Sequence, residues 1–552
     1  MTMKTYNKFQ SVVYQIYPRS FKDSNGDGIG DIRGIIEKLD YLEKLGVDYL
    51  WSTPFFVSPQ KDNGYDVANY YEIDPLFGTM EDVETLIDEA AKRGISVMFD
   101  MVFNHTSTDH EWFQKAKAGD KHYQNYYFFR TKEEIANWQS KFGGSAFEYL
   151  EDLDLYYLHL YDVSQADLNW ENPEVFEQLC QVINFWLDKG VKGFRFDVIN
   201  LVSKPEVFED DEIGDGRRFY TDGPKIHEHL HRLNQATFGQ REDILTVGEM
   251  SSTSVEQGVK YADPNRDELS MIFNFHHLKV DYRDNQKWQV QPFDFLQLKK
   301  IWKDWQEAMQ AHQAYSAVFY NNHDQPRANS RFGDDRNYPY QSATMIATSI
   351  HMMRGMPYIY QGEEIGLPNA YFESIEDYVD VESTNMYRIL MEKHRDQAKV
   401  LSILKAHSRD NARTPIPWDE RQENFGFSNH KPWISFSKHP NLKSVRQDLE
   451  SEQSVFKYYQ KLIQLRKELE IISIGQINFL EMDHPQLFVY ERIYEDQKLL
   501  VITNHYPDQV EYNLPYQGEI LLSNYHRKQL EQTITIEPYE ALVILARKDT
   551  YV

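Results

Sequence analysis

Short apolar runs alternate with stretches of helical period over most of this chain, and that alternation restricts its fold more than any other feature. Residues 12–17 read as a strand. Ile32, Ile35, Ile36, Leu39, Leu42 and Leu45 then form a helical stripe that Gly46 stops. Residues 49–51 give the next strand. Thr79 is placed to cap a helix whose apolar face is Val83, Leu86, Ile87 and Ala90, ending at Gly94 before a strand at 95–99. Asn172-Pro173 opens a helix carrying Val175, Leu179, Val182 and Trp186. Strands recur at 193–198, 245–248, 271–275, 317–320 and 358–360. About eight strands with helices between them is the count of a (β/α)8 TIM barrel, so the fold class is α/β.

Two stretches break the period. Between Asp100 and Pro173 lies a long segment rich in Tyr and Phe with no βα repeat, which reads as a subdomain inserted after the third strand. Beyond Glu470 the pattern changes to short alternating strands at 487–490, 499–503, 518–522 and 541–546, an all-β C-terminal domain. The expected organisation is therefore barrel over 1–104, insertion over 105–173, barrel over 174–471 and a β-sandwich over 472–552.

Composition narrows the partners. The chain has 552 residues, with 59 Lys plus Arg against 86 Asp plus Glu, a formal charge of −27. Such a surface repels phosphate backbones and anionic lipid, so neither nucleic acid nor membrane is an expected partner. The 10 Trp, 37 Tyr and 32 Phe exclude a disordered chain and supply rings that can stack on sugars. A single cysteine, Cys180, rules out an intrachain disulfide and makes a Cys-based metal or redox site a poor expectation. Residues 1–10 are polar, without the apolar core of a signal peptide, and a cytoplasmic soluble protein is expected. No sequence feature specifies an oligomeric state.

In a barrel of this kind the chemistry sits at the C-terminal ends of the strands. The third strand ends Asp100-Met101-Val102-Phe103-Asn104-His105, and the fourth runs Gly193-Phe194-Arg195-Phe196-Asp197-Val198. The fifth ends Thr246-Val247-Gly248-Glu249-Met250 and the seventh Asn321-Asn322-His323-Asp324. A lone Asp at a strand end is most often a cap; four acidic or histidine-bearing ends on one rim are a site. These motifs, with Gln165-Ala166-Asp167-Leu168-Asn169-Trp170 in the insertion, resemble those of the α-amylase superfamily of retaining α-glycoside hydrolases. The resemblance implies that Asp197 is the nucleophile, Glu249 the general acid/base and Asp324 the third carboxylate, and that His105 and His323 donate to sugar hydroxyls. Arg195 lies two residues before Asp197, hence on the same face of the strand, and would hold it ionised. Glu249 must instead keep its proton, which calls for a site that raises its pKa.

The same resemblance implies further contacts. Tyr65 and Asp66, in Asn63-Gly64-Tyr65-Asp66-Val67, are similar to residues that line the far end of the sugar pocket. Arg413, in Asn411-Ala412-Arg413-Thr414-Pro415, is similar to the partner of that Asp, and an Asp–Arg pair there would close the pocket and make the enzyme exo-acting. Asp23, Asn25, Asp27, Ile29 and Asp31 place oxygen donors at alternating positions, as in the first part of a calcium loop, although Gly34 stands where the helix–loop–helix version has Glu. A structural Ca²⁺ or Mg²⁺ is expected there, and no organic cofactor. Within the superfamily two neighbouring groups share Asp197-Val198-Ile199-Asn200 and Asn322-His323-Asp324-Gln325-Pro326-Arg327: the oligo-1,6-glucosidases and the trehalose-6-phosphate hydrolases. Glu249-Met250-Ser251-Ser252-Thr253 and the stretch from Phe273 to Tyr282 resemble the second group. A small phosphorylated disaccharide is therefore the expected substrate and isomalto-oligosaccharides the alternative. Lys279, Arg283 and Lys287, basic residues in one segment of an acidic chain, are the candidate phosphate partners, Lys279 and Lys287 before Arg283.

Overall fold

In the computed structural model, which describes residues 8–547, eight parallel strands form the centre of the molecule. Residues 1–7 of the polar N-terminus and 548–552 of the expected C-terminal domain lie outside the described residues. The strands are β1 Val13–Ile16, β2 Tyr49–Ser52, β3 Ser96–Met101, β4 Gly193–Phe196, β5 Leu245–Glu249, β6 Met271–Phe273, β7 Ala317–Val318 and β8 Met356–Tyr360. Their order is β6-β5-β4-β3-β2-β1-β8-β7, and a parallel bridge between Ile272 and Ser316 joins the two ends, closing a barrel. The strands are buried on both faces, so burial runs continuously along them rather than alternating, with Gln15, Asp100 and Arg195 as buried polar exceptions in otherwise apolar runs.

The local signals act as the chain chemistry dictates. Gly46 ends a helix at φ +98°, a conformation that costs other residues a steric clash. Thr79 and Asp82 form a reciprocal capping box, and the Asn172 side chain accepts from the Glu174 N–H. One expected element is two: the stripe over 32–45 folds as helices Ile32–Glu37 and Leu39–Leu45, interrupted at Lys38. The sixth and seventh strands are shorter than expected, because the chain leaves the barrel early to build the loops of the rim.

The segment between β3 and the helix Pro173–Asp188 has sheets of its own. Strand His105–Ser107 pairs antiparallel with Gln165–Asp167, placing His105 opposite Asp167, and three further strands form a small sheet. Phe128, Trp138 and Phe147 of this insertion pack on Leu201, Phe208 and Tyr220 of the loop after β4, so one apolar cluster roofs the rim. After the helix Glu470–Ile474 comes a five-stranded antiparallel sheet and a separate two-stranded ladder. Sequence reading placed four of these seven strands; Gln476–Leu480, Val510–Asn513 and Thr533–Ile536 were not expected. Arg492 of this domain donates to the carbonyls of Met352, Ile472 and Gly475, and Lys299 of the barrel donates back to those of Glu481, His484 and Leu487. Among the described residues no helix is long and apolar enough to cross a membrane.

Candidate active site

A pocket of about 260 Å³ opens at the C-terminal rim. Its wall includes Asp197, Glu249 and Asp324 together with Tyr65, His105 and Lys279. Parallel register sets Arg195 opposite Asp100 of β3, and both are buried at about 1 % exposure. From there the Arg195 guanidinium reaches three carboxyls: Nη1 lies 2.9 Å from Asp100 Oδ1 and 2.7 Å from Asp197 Oδ1, and Nη2 lies 2.5 Å from Glu249 Oε2. Asp100 spends its other oxygen on Trp51 Nε1 and the Tyr65 hydroxyl, which fixes it under the arginine. One cation among three acids leaves room for a bound proton.

That proton belongs to Glu249. Burial pushes its pKa up to about 8, with Asp197 adding to the rise through its charge and a hydrogen bond, against the pull of Arg195. Burial also raises Asp197, to about 6, where Arg195 and the hydrogen bond from Glu249 stop it. Arg195 therefore limits a rise rather than producing a depressed value, and Asp197 is still mostly ionised at neutral pH. The two carboxyls share the Arg195 guanidinium, one on each terminal nitrogen, which sets them side by side in the pocket wall as a nucleophile and its acid require. Val198, directly after Asp197, sits at φ +36°, a left-handed conformation rare for a β-branched residue. The turn it makes brings its N–H to 3.2 Å from Glu249 Oε2.

Asp324 is tuned the other way. Burial alone would raise it, but His323, Arg409 and Arg413 outweigh that and hold it well below the usual carboxylate range. His323 Nε2 is 3.1 Å from Asp324 Oδ2 and Arg413 Nη2 is 2.9 Å from Oδ1. The His323 ring lies flat against Tyr65, with centroids 5.3 Å apart. Burial lowers the pKa of both His105 and His323, so each is neutral at pH 7.

Two expectations need correction. Asp66 is fully buried beneath the pocket, its oxygens accepting from Ser58 Oγ and from the N–H groups of Lys61 and Asp62. It organises the turn instead of facing a ligand, and Arg413 pairs with Asp324 and Asp380 rather than with it. The acid and base that close the pocket wall are Asp62 and Arg409, 3.9 Å apart and both pocket-lining. Each lies four residues before the expected one, just outside the motif that pointed to it, so the motif led to the segment and not to the residue. Lys287 is held by Glu382 at 2.6 Å and lies over Trp288, outside the pocket wall, and Arg283 is exposed on the surface. In the 23–31 loop, Asp23 accepts from the N–H groups of Asn25, Gly26 and Gly28, Asn25 from Asp27 N–H, Asp27 from Ile29 N–H, and Asp31 from Ser24 and Gly34. The loop is a chain of turns in which these side-chain oxygens accept from backbone N–H groups.

Other residues gave no signal in the sequence. Phe142 and Tyr161 of the insertion line the pocket, and an outer groove of about 580 Å³ continues past them. Lys141 and Arg217 line that groove, and Lys141 Nζ is 3.2 Å from Ser251 Oγ, a pocket residue. Neither basic residue sits in a motif; only the folding of the insertion over the loop after β4 brings them to Lys279.

A closed parallel barrel that gathers an ionised and a protonated carboxyl around one arginine has the equipment of a glycoside hydrolase. Comparison with known proteins agrees. The family description "Alpha amylase, catalytic domain" matches residues 15–475, and "Alpha-amylase SusG C-terminal domain" matches residues 487–543. The chain belongs to the α-amylase family. It is 50% identical over 546 residues to the trehalose-6-phosphate hydrolase of Bacillus subtilis, covering 97% of each chain. It is 46% identical over 561 residues to the oligo-1,6-glucosidase of Parageobacillus thermoglucosidasius, covering 98% of each. The crystal structure of Bacillus licheniformis trehalose-6-phosphate hydrolase superposes with a TM-score of 0.94 at 48% identity, over 98% of this chain and 99% of that one.

Proposed function

We propose that this enzyme hydrolyses α,α-trehalose 6-phosphate to glucose and glucose 6-phosphate, with retention, through a glucosyl–Asp197 ester. The observation that carries the phosphate assignment is Lys279. It lines the pocket in a chain of charge −27, yet among the described residues no carboxylate pairs with it. Burial and the nearby charge of Arg217 lower its pKa. Burial, with Arg217 and Lys279, pushes Lys141 down to about 7. Three cations from three separate loops crowd together at a cost that an anion between them would offset. Arg217 is partly engaged by Asp215, which leaves the lysines as the main unmet charge.

The steps follow from the geometry. The unphosphorylated glucose occupies the end closed by Asp62 and Arg409, with its anomeric carbon between Asp197 and Glu249. An Asp197 oxygen bonds to that carbon as the glycosidic C–O bond breaks, and the Glu249 proton goes to the leaving oxygen, releasing glucose 6-phosphate toward Lys279. Glu249, now ionised, takes a proton from water; the water oxygen bonds to the anomeric carbon, the ester breaks and glucose leaves. Asp324, held ionised by its arginines, stabilises positive charge developing on the ring.

A substrate panel tests this reading. kcat/KM for trehalose 6-phosphate should exceed that for trehalose by about a hundredfold, the scale of one or two charge-assisted hydrogen bonds. The 46% identity to an oligo-1,6-glucosidase supports a competing reading, and a preference for isomaltose over trehalose 6-phosphate would establish it.

The cation of the 23–31 loop belongs to the same proposal. Its donors, carboxylates of Asp23, Asp27 and Asp31, the Asn25 amide and the Ile29 carbonyl, are the hard oxygens that Ca²⁺ and Mg²⁺ take. Asp23, 3 % exposed, is met by backbone N–H groups and the Ser428 hydroxyl, and among the described residues no salt bridge reaches its carboxylate. Chelation should lower the melting temperature by several degrees, with Ca²⁺ restoring it, as for any ligand that binds only the folded state. An Asp27→Ala variant should lose that response, and an unmoved wild-type melt removes the cation.

A further inference from the structure

Beside His105 lies a fully buried ion pair that the reaction steps above do not use. Lys204 Nζ is 2.7 Å from Asp167 Oδ2, and both side chains are inaccessible to solvent. Asn104 sits between them: its Oδ1 accepts from Lys204 Nζ at 2.7 Å, and its Nδ2 lies 3.0 Å from Asp167 Oδ2. An ammonium only donates and a carboxylate only accepts, so these two contacts allow one orientation of the amide. Asn104 Nδ2 is also 3.2 Å from His105 Nδ1, and a donor there requires a bare ring nitrogen.

The other edge of the ring gives the same answer by a separate route. His105 Nε2 is 3.0 Å from the carbonyl oxygen of Tyr65, which can only accept. Gln165 Nε2 comes within 3.3 Å of the same nitrogen, but its amide is fixed by the Asp162 N–H on its oxygen. Its two hydrogens go to Asp62 Oδ2 and the Tyr65 carbonyl, not to the ring.

We propose that Asn104, clamped between Lys204 and Asp167, is a positioning residue that sets the tautomer of His105, keeping Nδ1 bare so that Nε2–H holds the backbone carbonyl of Tyr65 in the pocket wall. The consequence is mechanical: the segment that carries the Tyr65 ring, stacked on His323 with centroids 5.3 Å apart, is tied through His105 to the clamp. The clamp joins the barrel, which carries Asn104 and Lys204, to the insertion, which carries Asp167. It thus ties the placing of the insertion to the Tyr65 wall of the pocket. That sugar occupies the pocket rests on the proposed function; the tautomer itself does not.

The test is a long-range ¹H–¹⁵N correlation spectrum of the full chain labelled with ¹⁵N-histidine. The 19 histidines make a difference spectrum against His105→Gln necessary for assignment. At neutral pH without substrate, His105 should show a bare Nδ1 and a protonated Nε2. Asn104→Asp replaces the donor facing Nδ1 by an acceptor. It should place a proton on Nδ1 and lower kcat/KM for an aryl α-glucoside on the order of tenfold, the scale of one misdirected hydrogen bond. A wild-type spectrum with protonated Nδ1 overturns the proposal, as does an Asn104→Asp spectrum in which Nδ1 stays bare while only the melting temperature falls. Should that variant not fold, the wild-type spectrum decides alone, and neither readout depends on which disaccharide is the substrate.

Discussion

Asp197→Asn should lower kcat/KM by about four orders of magnitude or more on every α-glucoside tested, with the melting temperature close to that of the wild type. The amide keeps the volume and the hydrogen bond to Arg195 but cannot form the ester. Glu249→Gln should behave differently according to the leaving group. For an aryl α-glucoside, whose phenolate leaves with little help, kcat/KM reports formation of the ester and should be partly spared. For trehalose 6-phosphate it should fall by about 10²–10⁴, the usual scale of general acid catalysis. The pH profile adds a signature. The active form has Asp197 ionised and Glu249 protonated, so kcat/KM rises as pH passes about 6 and falls as it passes about 8. Those limbs belong to the coupled pair rather than to either carboxyl alone. Glu249→Gln should erase the alkaline limb on the aryl substrate; a limb that persists there reassigns the acid, and an Asp197→Asn enzyme with unchanged turnover removes the ester.

Lys279→Ala should separate recognition from chemistry. We expect kcat/KM for trehalose 6-phosphate to fall by about ten- to a hundredfold, the scale of a hydrogen bond to a charged group. For a neutral aryl α-glucoside, which carries nothing for the lysine to grip, the change should stay within about twofold. The ratio of the two losses is the diagnostic. Equal losses would mean that Lys279 shapes the pocket wall and that no phosphate rests there.

Much of this architecture was legible in the sequence because its signals are local. Strand and helix periods, Thr79 and Asn172 as caps, and Gly46 as a stop depend on residues a few positions apart, and the folded chain uses them so. Asp197, Glu249, Asp324, His105 and His323 were legible as strand-end residues, since barrel geometry alone delivers strand ends to one rim. What sequence misplaced depends on how loops turn. Asp62 and Asp66 lie four residues apart on one turn, and only the fold of that turn decides which carboxyl is spent on backbone N–H groups and which faces the pocket. Lys287 looked as free as Lys279 because its partner Glu382 lies far along the chain. Lys141 and Arg217 were invisible for the same reason, each meaningful only once the insertion lies over the rim.

The pairing of Asp324 with Arg413 spans 89 positions, and Arg413 lies far beyond the strands that carry Asp197 and Glu249. A ribosome making this protein therefore releases the acid pair long before the arginines that tune their neighbour. Nascent chains stopped short of Arg413 would carry the cutting residues but an untuned floor beneath them. Competence arrives late in synthesis, close to the moment when the last domain emerges to seal the carbonyls at the barrel's far end.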